Sequence, residues 1–245
     1  MNWSIRVQNL DKVFFVERAR PTAFKLLKRT FQGRRASAEK FFALKDINLD
    51  IGRGEKLGIV GNNGSGKTTL LKVVAGLFKP DRGRVEVAGS MAFLAGLGIG
   101  MIDDLSVESN VYLYGMIYGL EVKMIRDRLQ EIIAWAELQD FSRAKLKTLS
   151  SGMRTRLAFA TLRHIDADIF LLDETLATGD KNFKEKCQNY FESQKERDKT
   201  YLVATHDLVF VKQFCKRTLW LHKGKPLAFG ETDKVLKLYL ESGRG

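Results

Sequence analysis

The sequence predicts a layered α/β fold, and three observations carry that expectation. Short apolar runs at 169–172 and 201–205 have the composition of strands covered on both faces in a parallel sheet. Segments with helical periodicity alternate with such strands, the pattern of an α/β layer architecture. A glycine-rich turn at 61–66 joins a strand at 56–60 to a helix at 68–77.

The elements follow in chain order. Residues 4–9 alternate like an edge strand. Residues 17–40 are basic and poorly patterned, which predicts a loop with a short helix around 24–31. Residues 43–51 and 56–60 read as strands, and 84–88 and 91–94 as short strands. The segment 123–137 is helical because Ile125, Leu129, Ile132, Ile133 and Ala136 fall on one stripe, and 153–164 is a further helix. The stretch 103–163 interrupts the strand–helix alternation and is expected to form a helical subdomain within a single domain, with 1–102 and 164–245 as the core lobe.

Composition narrows the class. The 245 residues are 44% hydrophobic and 29% charged, ordinary for a globular protein. No run approaches the roughly 18 apolar residues that a membrane helix needs, and the first residues have no apolar signal core. A cytoplasmic protein is expected, whose membrane role would need a partner. Cys187 and Cys215 lack metal-ligand spacing and read as two reduced, buried thiols. The net charge is +12, and residues 1–40 alone carry ten Lys or Arg against three acids. That excess points to a nearby polyanion: nucleic acid, anionic lipid or a phosphorylated substrate.

The most specific pattern is Gly61-Asn62-Asn63-Gly64-Ser65-Gly66-Lys67-Thr68, which fits G-x-x-x-x-G-K-[ST] at every position between a strand and a helix. Triphosphate oxygens need donors on several sides at close range. Glycines allow backbone N–H groups to turn inward, and the helix N-terminus adds a positive dipole. Lys67 would reach the β- and γ-phosphates, the Thr68 hydroxyl would ligate Mg²⁺, and Thr69 extends the nucleotide-contacting set. Further along, the apolar run 169–172 ends in Asp173-Glu174. Open α/β sheets bind ligands at strand C-termini, which suits Asp173 as a metal ligand and Glu174 as the base that polarises the attacking water. Thr205-His206-Asp207 ends the next apolar run. His206 could reach the γ-phosphate from there, although a lone histidine at a strand end is more often a surface residue.

Leu149-Ser150-Ser151-Gly152-Met153 opens the 153–164 helix and resembles the L-S-G-G-Q signature of ABC ATPases, with Ser151 for the first Gly and Met153 for Gln. The features stand in the ABC order: 61–68, Ser150–Gly152, Asp173-Glu174, His206. Leu176-Ala177-Thr178-Gly179-Asp180 resembles the segment that crosses the ABC dimer interface, with Asp180 as its acid. Within that superfamily the chain looks most like the ATP-binding subunits of O-antigen, teichoic acid and capsule exporters. Ser150-Ser151-Gly152-Met153-Arg154-Thr155-Arg156-Leu157-Ala158-Phe159, residues 173–180, Phe183 with Lys186-Cys187, Leu219-Trp220-Leu221 and 235–240 carry this likeness, as does the insertion before 42–47.

The resemblance implies a RecA-like parallel-sheet core with an antiparallel β edge and a helical signature subdomain. It implies a homodimer that sandwiches two ATP molecules with Mg²⁺, each held by 61–68 of one subunit and Ser150, Ser151 and Gly152 of the other. It also implies a permease dimer as partner at the cytoplasmic face of the cell membrane and a lipid-linked polysaccharide as cargo, with no nucleic acid expected; the alternatives are an ABC subunit exporting another cargo and a soluble ABC ATPase acting on nucleic acid. Phe14 sits where the family has an adenine-stacking Tyr or Phe, with Phe15 adjacent. One departure concerns a glutamine that most ABC ATPases carry near 91–100. This chain has none between Gln32 and Gln130, and residues 94–100 form a Leu-Gly loop like that of polysaccharide exporters.

Overall fold

The computed structural model describes residues 2–16, 39–95, 97–173, 181–195 and 197–243. The basic segment 17–38, where a loop and short helix are expected, lies outside the described residues, as do Gly96 and 174–180.

Strands β1 (Trp3–Val16), β2 (Glu39–Gly52) and β4 (Arg82–Val87) form an antiparallel sheet in the order β2-β1-β4. A second sheet contains β3 (Lys56–Val60), β5 (Met91–Ala95), β6 (Ile169–Asp173), β7 (Thr200–Ala204), β8 (Arg217–His222) and β9 (Lys225–Glu231), in the order β5-β6-β7-β3-β8-β9. The first five of these are mutually parallel and β9 runs antiparallel to β8. The antiparallel edge is therefore realised twice, as a separate sheet and as one border strand.

Successive strand side chains point to opposite faces, so each face of the parallel sheet has its own core. Ile169, Leu171, Leu202 and Ala204 face one side, where α1 (Lys67–Val74) packs with Leu70, Leu71, Val73 and Val74. Ile5, Val7, Leu44 and Ile47 of the antiparallel sheet complete that core. Phe170, Leu172, Tyr201 and Val203 face the other side. The continuous apolar runs in the sequence are the signature of this two-sided burial.

A third core belongs to the region after β5. Helices α2 (Val107–Ile117), α3 (Val122–Trp135) and α4 (Ser151–Leu162) enclose Val107, Val111, Ile125, Ile132, Ile133 and Leu157. The predicted stripe on α3 is buried at Ile125, Ile132, Ile133 and Ala136, with Leu129 half-buried. The expected helix end at 137 is two residues long, because Glu137 takes a left-handed φ of 60° and leads the chain out. Helix α2 left no readable stripe because one of its core positions is polar. Asn110 is fully buried and satisfied there: Oδ1 accepts from Ile102 N at 2.7 Å, and Nδ2 donates to the carbonyls of Ile102 and Ser106 at 2.9 Å. Helices α5 (Lys181–Gln194), α6 (Leu208–Phe214) and α7 (Thr232–Glu241) cover the second sheet face. No helix among the described residues is long and apolar enough to cross a membrane. Both cysteines are buried thiols, and burial pushes Cys187 up to about 12 and raises Cys215 further.

His164, just past α4, yields a pH prediction. Burial first, and the neighbouring Arg163 cation second, push its imidazole down to about 4 from 6.5, against the opposing pull of Glu131. The unfolded chain binds this proton more readily, so the stability it contributes is complete above pH 6.5 and is lost as pH falls towards 4. The slope is at most about 1.4 kcal/mol per pH unit. Urea midpoints measured at pH 7 and pH 5 should fall less for His164→Gln than for the unmodified protein.

Candidate functional site

The C-terminal ends of β3, β6 and β7 lie side by side. Asp173 is level with Ala204, and Ala204 with Ile59. The three motifs that follow these strands are thereby brought to one sheet edge. The loop 61–66 turns from β3 into α1 under tight packing. Gly61 has φ 147°, and a Cβ there would collide with the Leu221 carbonyl. Gly66 has φ 110°, and a Cβ would lie 2.7 Å from the Ala43 carbonyl. Both positions exclude a side chain for this reason. The β8–β9 turn braces the loop from behind: Gly224 N–H donates to the Ser65 carbonyl at 2.9 Å, and Lys45 N–H to the Gly224 carbonyl at 2.8 Å. Tyr239 of α7 donates to Asn62 Oδ1 at 3.1 Å, a brace that no local pattern announces.

Four of the sequence-predicted side chains, Lys67, Thr68, Asp173 and His206, meet above this loop. Lys67 is buried, and its Nζ donates to the Gly61 carbonyl at 2.7 Å. His206 Nε2 lies 3.5 Å from Lys67 Nζ and 2.9 Å from Asn63 Oδ1. Thr68 Oγ1 donates to Asp173 Oδ1 at 3.1 Å. The adjacent pocket has a volume of about 400 Å³ and is lined by Asn63 to Thr69 together with Phe14, Phe41 and Ala43.

Several features of this site fit a bound polyphosphate. The first turn of α1 carries no acid, so its positive end is unopposed. A Cβ at Gly64 would meet only open space. The Ser65 hydroxyl is buried with no hydrogen-bond partner among the described residues. A divalent cation also fits between Thr68 and Asp173, since Mg²⁺ takes few protein oxygens and completes its shell with water and phosphate.

Of the sequence-predicted aromatics, Phe14 lines the pocket and packs edge-on against Phe78 at 5.6 Å. Phe15 points away and is 64% exposed. Phe41, which sequence reasoning missed, stands across from Phe14 in the β1–β2 register and lines the same pocket. Its signal was available only through strand pairing, because cross-strand partners share a face. Ser150 caps α4, its Oγ accepting from Met153 N at 3.3 Å, and neither it, Ser151 nor Gly152 lines the pocket. Glu174 and Asp180 lie outside the described residues. In the 94–100 loop, Leu97 packs inward, Gly98 N–H donates to the buried Tyr114 hydroxyl at 3.1 Å, and Ile99 is 70% exposed.

A strand–glycine loop–helix unit with an acid and a histidine at neighbouring strand ends is the P-loop architecture. A family model described as ABC transporter matches residues 44–177, and the chain belongs to that family. It is 39% identical over 224 residues to the O-antigen export system ATP-binding protein RfbB of Myxococcus xanthus, an alignment covering 90% of this chain and 51% of that protein. It is 36% identical over 241 residues to the teichoic acids export ATP-binding protein TagH of Bacillus anthracis, covering 98% and 43%. The chain thus spans about half the length of these curated relatives. Among solved structures, a dimeric bacterial ABC transporter cassette superposes with a TM-score of 0.72 at 25% identity, covering 93% of this chain and 98% of that one.

Proposed function

We propose that this chain is the ATP-binding and ATP-hydrolysing subunit of an ABC transporter that exports a lipid-linked polysaccharide. One observation carries the enzymatic half: Lys67 and Thr68 of the phosphate loop meet His206 and Asp173 at one sheet edge, beside a pocket of nucleotide size. In this reading, backbone N–H groups of 61–66 and the α1 N-terminus bind the phosphates. Lys67 releases the Gly61 carbonyl to contact the β- and γ-phosphates, and Phe14 bears on the base. Thr68 and Asp173 would hold Mg²⁺, which supplies charge neutralisation on the phosphate oxygens. His206 contacts the γ-phosphate. Glu174, next in the chain after Asp173, accepts a proton from the attacking water.

The signature residues Ser150, Ser151 and Gly152 lie outside the pocket lining of their own chain, which suits a homodimer in which they close the partner's site. Asp180 would lie at that interface. The likeness to O-antigen and teichoic acid exporters supports the cargo class, and with it a permease dimer at the cytoplasmic face of the cell membrane.

The 94–100 loop is the proposed contact with the permease: by resemblance it occupies the stretch where ABC ATPases meet their membrane subunit, and it holds no side chain able to ligate metal or move a proton. Leu97 is packed inward, so the exposed Ile99 is the position to alter. Ile99→Asp should preserve ATPase activity of the isolated subunit and reduce polymer export in cells carrying the permease. Equal loss of both activities would place the loop in the catalytic site instead, and intact export would remove it from the permease contact.

A further inference from the structure

Trp135, with Met101 and Ile165, packs against both the sheet-side core and the core of the helical unit. Its indole stacks on Phe159 of α4, with centroids 5.5 Å apart, and meets Phe183 of α5 at 5.8 Å. The Arg163 guanidinium lies 5.2 Å from the indole centroid and Lys186 Nζ 4.7 Å. Lys186 does more than sit over the ring. Its ammonium donates to the Trp135 carbonyl at 2.7 Å and to Glu137 Oε1 at 2.9 Å. The other Glu137 oxygen accepts from Arg156 of α4 at 2.8 Å. Glu137 itself holds a left-handed φ of 60°, a conformation that costs a non-glycine residue free energy and persists where surrounding contacts impose it.

Among the described residues, the hydrogen bonds, ion pair and ring contact of Lys186 thus land on the last residue of α3 or just beyond it. A compact ammonium suits this place, because it can satisfy a ring face, a carbonyl and a carboxylate together. A residue needed for packing alone would not require the charge. The tie has a consequence for the layers it joins. Helix α5 packs through Phe183, Cys187 and Phe191 on the sheet face that carries Leu172, next to Asp173, while Ser150 caps α4 of the helical unit.

We propose that Lys186 is a positioning residue for ATP hydrolysis. It fastens α5 to the end of α3, so that the helical unit carrying Ser150 keeps its position against the sheet that bears Asp173. This inference rests on the ATPase reading above.

The test uses the full chain with spin labels on Arg126→Cys and Glu185→Cys, while the buried Cys187 and Cys215 stay unlabelled. The label-to-label distance distribution should be narrow with Lys186 and broaden in Lys186→Met, and Lys186→Arg should restore it. In unlabelled protein, Lys186→Met should lower kcat on the order of tenfold with KM for ATP unchanged, and Lys186→Arg should recover most of that loss. If Lys186→Met does not fold, Glu137→Gln removes the carboxylate partner while leaving the packing, and should give the same pattern. An unchanged distance distribution would overturn the tie. A KM that rises in step with the kcat loss, or an unchanged kcat, would overturn the positioning role. Absence of ATPase activity in the unmodified protein would sink the ATPase reading, while the distance measurement would still decide the tie.

Discussion

Glu174→Gln is expected to leave ATP binding intact, lower turnover by at least about 100-fold, and trap an ATP-bound dimer. The Asp173 carboxylate already accepts a hydrogen bond from the Thr68 hydroxyl at the end of β6. A carboxylate so placed would suit a metal ligand and is poorly placed to remove a proton from water. Glu174 is the next acid in the chain. The amide of Gln keeps its size and removes its basicity, so binding by 61–68 survives while the chemical step fails. Phosphate release measures the turnover, and size-exclusion elution with and without ATP measures the trapped dimer. Turnover near that of the unmodified protein would rule out Glu174 as the essential base.

The second large effect concerns sharing of the site between subunits. Ser150→Arg should abolish hydrolysis, because it replaces the cap of α4 with a bulky cation where the partner's nucleotide is proposed to dock. Lys67→Ala should weaken ATP binding by about 10- to 100-fold through loss of a charge-assisted contact. Neither variant alone should turn over ATP. A mixed dimer, however, has one site carrying both defects and one carrying neither. An equal mixture that exchanges freely should recover roughly a quarter of full activity if the two sites work independently. Activity that stays at the level of the two parents, with mixed dimers shown to form, would mean that each subunit completes its own site.

Much of the candidate site was legible in sequence because the chemistry it is proposed to perform is local. The loop 61–68 must supply closely spaced backbone donors from consecutive residues, and this forces glycine at fixed positions. Gly61 and Gly66 stand where a Cβ would strike the Leu221 and Ala43 carbonyls. Phe41 was not legible, because its place opposite Phe14 follows from a strand register across the basic insertion. Tyr239, more than 170 residues from Asn62, was invisible for the same reason. Among the helices, α3 announced itself by its apolar stripe, whereas α2 did not, because Asn110 and Gly115 occupy buried positions and break the pattern.

The sequence by itself determined the fold class and the family, and it marked out the candidate loop 61–68. Two-sided burial leaves continuous apolar runs, and polyphosphate binding leaves a short contiguous motif; both are written within a few residues of one another. Tertiary structure alone decided which residues meet. It set Asp173 against Thr68 and His206 beside Lys67, kept the signature helix out of its own chain's pocket, and closed Lys186 onto the end of α3. Those pairings span tens to more than a hundred residues. They are fixed by the order and register of strands in the sheet, which depend on how whole layers pack and leave no mark in any short stretch of chain.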